Sequence, residues 1–124
     1  MNIVLTGGSG FIGSHLSKEL LKNGENKLIV VDSLLTGNLN NIQDLLDHEN
    51  ATFIQHDVQD NIEIDEKVDY VFHLASAASP VAYTENPVNT LKAGSLGTIN
   101  TLGLARKHGA EYFLASTSEV YGDP

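Results

Sequence analysis

TGGSGFIG, residues 6–13, decides how this chain is read. It follows a short apolar run, Asn2 to Thr6. It precedes a segment in which Phe11, Ile12, Leu16, Leu20 and Leu21 recur at helical spacing, with Gly24 as a stop signal. Gly7, Gly10 and Gly13 therefore punctuate a strand–turn–helix passage in G-x-x-G-x-x-G order. In such a turn the first glycine permits the tight bend and the second lets a pyrophosphate approach the backbone. The third lets the helix pack close to the strand. Free N–H groups at the helix N-terminus then meet the anion. Three glycines in a loop say little by themselves; between a buried strand and a helix they mark a dinucleotide-binding turn.

Beyond this turn, KLIVVD (27–32), ATFIQ (51–55), DYVFHLA (69–75) and EYFLAS (111–116) read as further buried strands. Leu39, Ile42, Leu45 and Leu46 mark a second helix, and the acidic stretch from Asp57 to Lys67 reads as a loop with at most one helical turn. Asn86-Pro87 supplies an N-cap and first-position proline for a third helix, whose inner stripe is expected to be Val88, Leu91, Ser95, Ile99 and Leu102. Gly94, Gly97 and Gly103 interrupt that helix at about 1 kcal/mol each relative to alanine, which suggests that something approaches its backbone closely. Strands alternating with helices predict an α/β Rossmann fold, a doubly wound parallel sheet in the order 3-2-1-4-5.

Ligands of such sheets bind at the carboxyl ends of the strands, where the order reverses. The polar and small residues collect at those ends. Asp32 lies 19 residues after Gly13, where a carboxylate accepts hydrogen bonds from an adenosine ribose and repels a 2′-phosphate, favouring NAD over NADP. Ser33, Leu34, Thr36 and Gly37 would follow along the ribose and adenine side. Asp57 and Val58 are placed to meet the adenine, although an aspartate after a strand is also ordinary turn chemistry. Leu74, Ala75 and Ser76 open a run of small residues against which the nicotinamide-side ribose can lie. Thr117, Ser118 and Glu119 offer two hydroxyls and a carboxylate beside the same crevice: catalytic groups for a substrate hydroxyl, or in the case of Ser118 a helix cap. His73, inside a buried strand, reads as a core histidine.

Sixteen acidic against seven basic residues give a formal net charge of −9, which argues against nucleic acid or an anionic membrane as partner. There is no cysteine, and the five histidines show no metal-ligand spacing, so no metal site is expected. No run approaches the roughly 18 apolar residues that span a bilayer, and the first residues do not form a signal peptide, so a cytoplasmic setting is expected.

TGGSGFIGSHL, VVDSLLTGN, HDV, HLASAASP and STSEVYGDP together resemble the extended short-chain dehydrogenase/reductase family of nucleotide-sugar enzymes. ASPVAYTENPVNTLKAGSLGTINTLGLA and the STSEVYGDP ending are similar to its UDP-glucuronate decarboxylase (UDP-xylose synthase) group over essentially the whole chain. The resemblance implies bound NAD, oxidation of the sugar C4 hydroxyl, loss of carbon dioxide from the β-keto acid, and return of the hydride. It implies that Thr117 binds the C4 oxygen, that Ser118 and Glu119 lie beside the sugar, and that Glu119 is an acid/base group. It assigns NAD contacts to Gly10, Phe11, Ile12, Asp32, Ser33, Leu34, Gly37, Asp57, Val58, Leu74 and Ser76. UDP-sugar contacts fall to Lys92, Asn100, Gly103, Arg106 and Lys107, and a homodimer is implied for the intact enzyme. Read from the sequence alone, Arg106 and Lys107 are basic residues stabilising a helix C-terminus.

Gly94, Asn38 and Ala82 depart from residues common in that group, which are asparagine, arginine and a bulkier side chain. The family's Tyr-x-x-x-Lys pair is absent from these 124 residues, and Tyr121 has no lysine four positions on. Residues 1–124 are accordingly expected to form an incomplete NAD-binding Rossmann domain that binds the cofactor without turnover. An unpaired outer edge on the fifth strand is expected to favour association. The alternatives are part of a UDP-sugar 4-epimerase or 4,6-dehydratase, the latter disfavoured by Ser118 where an aspartate is usual, or a stand-alone NAD-binding module.

Overall fold

A computed structural model describes residues 1–122, with Ser118 described by its backbone only. Five parallel strands form one sheet in the order β3-β2-β1-β4-β5: β1 (Asn2–Thr6), β2 (Lys27–Asp32), β3 (Ala51–Gln55), β4 (Tyr70–His73) and β5 (Glu111–Leu114). This is the expected doubly wound order. Val4, Leu5, Val30, Val31 and Val71 are at most 1% exposed, and burying a side chain of that size stabilises by about 1.5–3 kcal/mol. Near-continuous apolar runs are what strands covered on both faces require.

The two faces have separate cores. Ile3, Leu5, Leu28 and Val30 pack with Leu21, Ile42 and Leu45 beneath helix α1 (Phe11–Leu21) and the short helix α2 (Gln43–Leu46), which a 3₁₀ turn over Leu39–Ile42 precedes. Val4, Ile29, Val31 and Val71 pack on the other face with Ile62, Ile64, Leu104 and Ala105, beneath helix α5 (Thr98–His108). Ile62 and Ile64 belong to the 57–67 loop, which contains no helical turn. They alternate with exposed Asn61, Glu63 and Asp65, so the acidic loop presents one apolar side to the core. At the amino edge of the sheet, the Asn2 N–H donates to Asp69 (2.9 Å) and Lys67 pairs with the same carboxylate (2.9 Å). The backbone donor first and the ammonium second hold the Asp69 pKa below the ordinary aspartate value.

Two helices present a different face from the expected one. In α1 the buried residues are Gly13, Ser14, Ser17 and Leu21, with Leu16 and Leu20 partly buried, while Phe11 and Ile12 point outward. The third predicted helix is in fact three pieces, α4 (Pro87–Lys92), a π-helical turn (Ala93–Gly97) and α5, and a separate short helix, α3 (Pro80–Glu85), precedes them. Ala93, Gly97, Thr101, Leu104 and Ala105 face the sheet, and Val88, Leu91, Ser95, Ile99 and Leu102 are exposed. Both stripes carry a helical period, and the bulkier one was expected inside. Close approach chose the smaller: a Cβ on Gly97 would come 2.7 Å from Val58 Cγ2. Gly94 and Gly103, which share that reading in the sequence, have nothing within 4 Å of a built Cβ.

The start of α3 carries an available signal, Ser79-Pro80, with the Ser79 hydroxyl accepting from the Ala82 N–H (3.3 Å) and proline in the first turn. Asn86 precedes α4 but makes no side-chain cap. Among the described residues, no helix is long and apolar enough to cross a membrane.

Candidate functional site: a dinucleotide crevice at the strand ends

Gly7 leaves β1 with φ +74°, a conformation that glycine tolerates, and its N–H bonds the Val31 carbonyl (2.8 Å). A side chain there would also strike β4's continuation, since a built Cβ lies 2.8 Å from Ala75 N. At Gly13 a Cβ would stand 2.1 Å from the Gly7 carbonyl oxygen, so helix α1 sits directly on the turn. Around Gly10 the only neighbour of a built Cβ is the same carbonyl at 3.3 Å, which leaves its outer side open. Gly10 is the N-cap of α1 and no side chain caps the helix. Its first-turn N–H groups are directed at the carboxyl edge of the sheet, where an anion satisfies them.

Asp32 ends β2 at 7% exposure. One carboxylate oxygen accepts from Ser9 N–H (3.0 Å) and the other from Leu34 N–H (2.8 Å). These turn bonds are compatible with a ribose contact: two backbone donors aim the carboxylate, and each oxygen retains a lone pair. The second of these bonds accompanies a left-handed Leu34 (φ 62°), an unusual conformation for a branched side chain. Gly37 closes over the pair, with a built Cβ only 2.0 Å from Ser9 Oγ. Ser9 Oγ is buried without a hydrogen-bond partner beside this carboxylate. An orphaned hydroxyl, a fixed carboxylate and an open glycine edge are the donor and acceptor set that a dinucleotide's ribose and pyrophosphate fit.

Asp57 accepts from the Gln59 backbone and side-chain amides, both at 3.0 Å. Gln59 also bonds Asn89, and the Asn100 amide donates to the Val58 and Gln59 carbonyls (2.9 and 3.0 Å). The Asp57 turn is therefore strapped to α4 and α5 by amide side chains. Only the position of Asn100 was singled out in the sequence, and Asn89 and Gln59 carry no motif that could have flagged them. Val58 is a core residue under Gly97 at 4% exposure. Ser33 and Leu34 are half-buried, Thr36 and Ser76 exposed, and Leu74 and Ala75 partly buried at the end of β4.

Beyond β5, the Thr117 hydroxyl caps a 3₁₀ turn (Ser118–Tyr121) by accepting from Glu119 N–H (3.3 Å). Thr117 and Glu119 are exposed. The Ser118 side chain and the last two residues of STSEVYGDP lie outside the described residues. Ala115 N–H bonds the His73 carbonyl (3.0 Å), and Ala115 shares an open apolar groove of about 610 Å³ with Phe11, Ile12 and Leu74. The segment leading to Thr117 thus enters beside the start of α1. Arg106 and Lys107 do not come to this crevice: they end α5, which runs back from the strand carboxyl ends over about 16 Å. Gly103 lies along the same exposed stretch, and Lys92 closes α4. Among the described residues no group of three metal-ligating side chains occurs.

The model of the NAD dependent epimerase/dehydratase family matches residues 3–124. UDP-glucuronic acid decarboxylase 6 of Arabidopsis thaliana is 48% identical over 124 residues, all of this chain and 36% of the relative. UDP-glucuronic acid decarboxylase 1 of Danio rerio is 50% identical over 122 residues, 98% of this chain and 28% of the relative. The chain therefore spans about a third of the length of the curated relatives it matches. A dTDP-glucose 4,6-dehydratase double mutant from Streptomyces venezuelae, with NAD and DAU bound, superposes with TM-score 0.85 at 27% identity. It is covered over 42% of its length, and this chain over 100%. The UDP-glucose 4-epimerase of Thermotoga maritima, with UDP-glucose, gives 0.81 at 32% identity, covering 100% of this chain and 40% of that one. The chain thus shares its fold with these solved structures, and it belongs to the NAD dependent epimerase/dehydratase family.

Proposed function

We propose that this chain is the NAD-binding part of an enzyme that decarboxylates UDP-glucuronate to UDP-xylose. The observation that carries the cofactor is the set formed by Gly7, Gly10, Gly13 and the doubly clamped Asp32, open at the carboxyl edge of the sheet. Identity of 47–50% to UDP-glucuronic acid decarboxylases, against 26–34% to the epimerases and dehydratases of known structure, supports the substrate.

When bound, NAD supplies a hydride acceptor and donor for a sugar carbon. Gly10 and the first turn of α1 would hold the pyrophosphate, Asp32 the adenosine ribose, and the Leu74–Ser76 backbone the second ribose. Asp57 would present its carboxylate to the adenine amino group, its angle set by Gln59 and Asn100. Thr117 would donate to the sugar C4 oxygen and Glu119 would hold or move a proton there; Ser118 would stand beside them. Lys92, at the crevice end of the α4–α5 layer, is the basic residue best placed for the sugar nucleotide's charge. Gly103, Arg106 and Lys107 would reach it only from the far end of α5. The exposed Val88–Leu91–Ile99–Leu102 stripe supports a homodimer of the intact enzyme.

Calorimetric titration of the 124-residue chain with NAD and with NADP tests the reading. Saturable NAD binding is expected, weaker by at least about tenfold for Asp32→Ala, a loss in the range of a hydrogen bond to a charged group. Equal affinity for NADP, or no effect of Asp32→Ala, would overturn it.

A further inference from the structure

At the point where the strand order reverses, β1 and β4 pair with Thr6 directly opposite His73. Both side chains lie on the α5 face and are buried, at 0% and 3% exposure. Thr6 Oγ1 is 2.7 Å from His73 Nδ1, and the Ala75 N–H reaches the same hydroxyl at 3.3 Å. The Leu74 N–H bonds the Thr6 carbonyl (3.1 Å). This pair therefore sits under the junction of the two walls of the crevice, where Gly7 of the glycine turn abuts Leu74 and Ala75.

Hydrogen-bond accounting settles the direction. A threonine hydroxyl has one proton to give and two lone pairs to receive. Ala75 N–H uses one lone pair. Were Nδ1 also a donor, the Thr6 proton would be left in a closed site with no acceptor, a cost that buried groups rarely carry. With Nδ1 unprotonated, the groups at this contact are matched: Thr6 gives its proton to Nδ1, and its lone pairs then face the Ala75 amide.

We propose that His73 is a positioning residue for the dinucleotide, its Nδ1 orienting the Thr6 hydroxyl so that the Ala75 amide, and with it the Leu74–Ser76 backbone, is held at a fixed height against the Gly7 turn. The proposal rests on the NAD reading above. The imidazole's surroundings keep it neutral. Tyr112 of β5 is the titratable group beside it, with ring centroids 6.5 Å apart, and its phenol donates to or accepts from Thr101 (2.9 Å). Gly97 of the π-turn covers its Cε1 edge, and Thr6 faces it from β1; both are uncharged. The described ion pairs lie elsewhere, and burial lowers the His73 pKa. Because the folded state binds this proton less readily than the unfolded chain, the stability from neutral His73 is complete above the ordinary histidine value of about 6.5. It declines as pH falls below it.

Long-range ¹⁵N NMR of the 124-residue chain without NAD reads the relay directly. An Nε2–H tautomer, with protonation displaced below the ordinary histidine value and a slowly exchanging Ala75 amide that Thr6→Val accelerates, is expected. An Nδ1–H tautomer, or an Ala75 amide indifferent to Thr6→Val, overturns it. Calorimetry with NAD reads the consequence. His73→Leu and Thr6→Val should each weaken binding about three- to tenfold, with the double variant no weaker than the worse single one. His73→Asn, whose Oδ1 replaces Nδ1 as acceptor, should return to within about twofold. Additive losses, or no rescue by asparagine, overturn positioning in favour of plain packing. If the unsubstituted chain fails to bind NAD, the cofactor reading falls, and the relay is judged on the tautomer and the Ala75 amide.

Discussion

The half of the sheet around β1 and β2 and the half ending at β5 differ in closure. From Ile3 to Thr6 and from Leu28 to Asp32 every residue is buried, and the glycine turn, α1 and the 33–41 segment interlock above them. In β5, Glu111, Phe113 and Leu114 are exposed and only Tyr112 is half-buried. Phe113 meets Phe72 at 5.5 Å, but beyond it the groove with Phe11 and Ile12 stays open. On the proposed reading, the closed half contains the adenosine side of the crevice and the open half the side of substrate chemistry. Binding geometry on the first side depends on contacts already made. On the second, large apolar surfaces remain uncovered, the condition in which strand edges and helix faces associate.

The contrast can be broken most forcefully at Gly13. A methyl placed 2.1 Å from the Gly7 oxygen has nowhere to go in the closed half, so Gly13→Ala should cost about 3 kcal/mol or more by chemical denaturation and remove NAD binding with it. A destabilisation below about 1 kcal/mol would show that the turn is not closed. Within the α5 layer a smaller, signed pair is expected. Gly97→Ala meets the Val58 side chain and should lose about 1–2 kcal/mol. Gly103→Ala meets nothing and should gain about 0.5–1 kcal/mol from helix propensity. Equal effects would mean that the π-turn does not seat Gly97 on the core. The smallest thermodynamic effect belongs to the open side: Phe113→Ser, at a residue 52% exposed, should change stability by about 1 kcal/mol or less. The same change should reduce concentration-dependent association in sedimentation velocity. A large stability loss without change in association would place Phe113 in the core instead.

Legibility in the sequence followed the same division. The five strands were readable because each is a short apolar run ended by a turn, and their order followed from right-handed crossovers. The three glycines were readable because a tight turn and close helix–strand packing restrict residue type, and Asp32 because it ends a buried apolar strand. The inward faces of α1 and α5 were not. Gly13, Ser14 and Ser17, and Ala93, Gly97 and Thr101, are small because the sheet lies close, and hydropathy weighs bulk rather than distance. The amide strap from Asn89 and Asn100 to the Asp57 turn, and the Thr6–His73 pairing, join residues 30 to 67 positions apart. Nothing local marks them.

The sequence by itself determined the α/β class, the strand order and the dinucleotide turn, because those depend on local period and on where glycine is obligatory. The tertiary structure alone decided which helical stripe is inside, which amides brace the Asp57 turn and what His73 bonds. Those outcomes depend on how closely two elements approach, and that distance is set by the packing of the whole sheet.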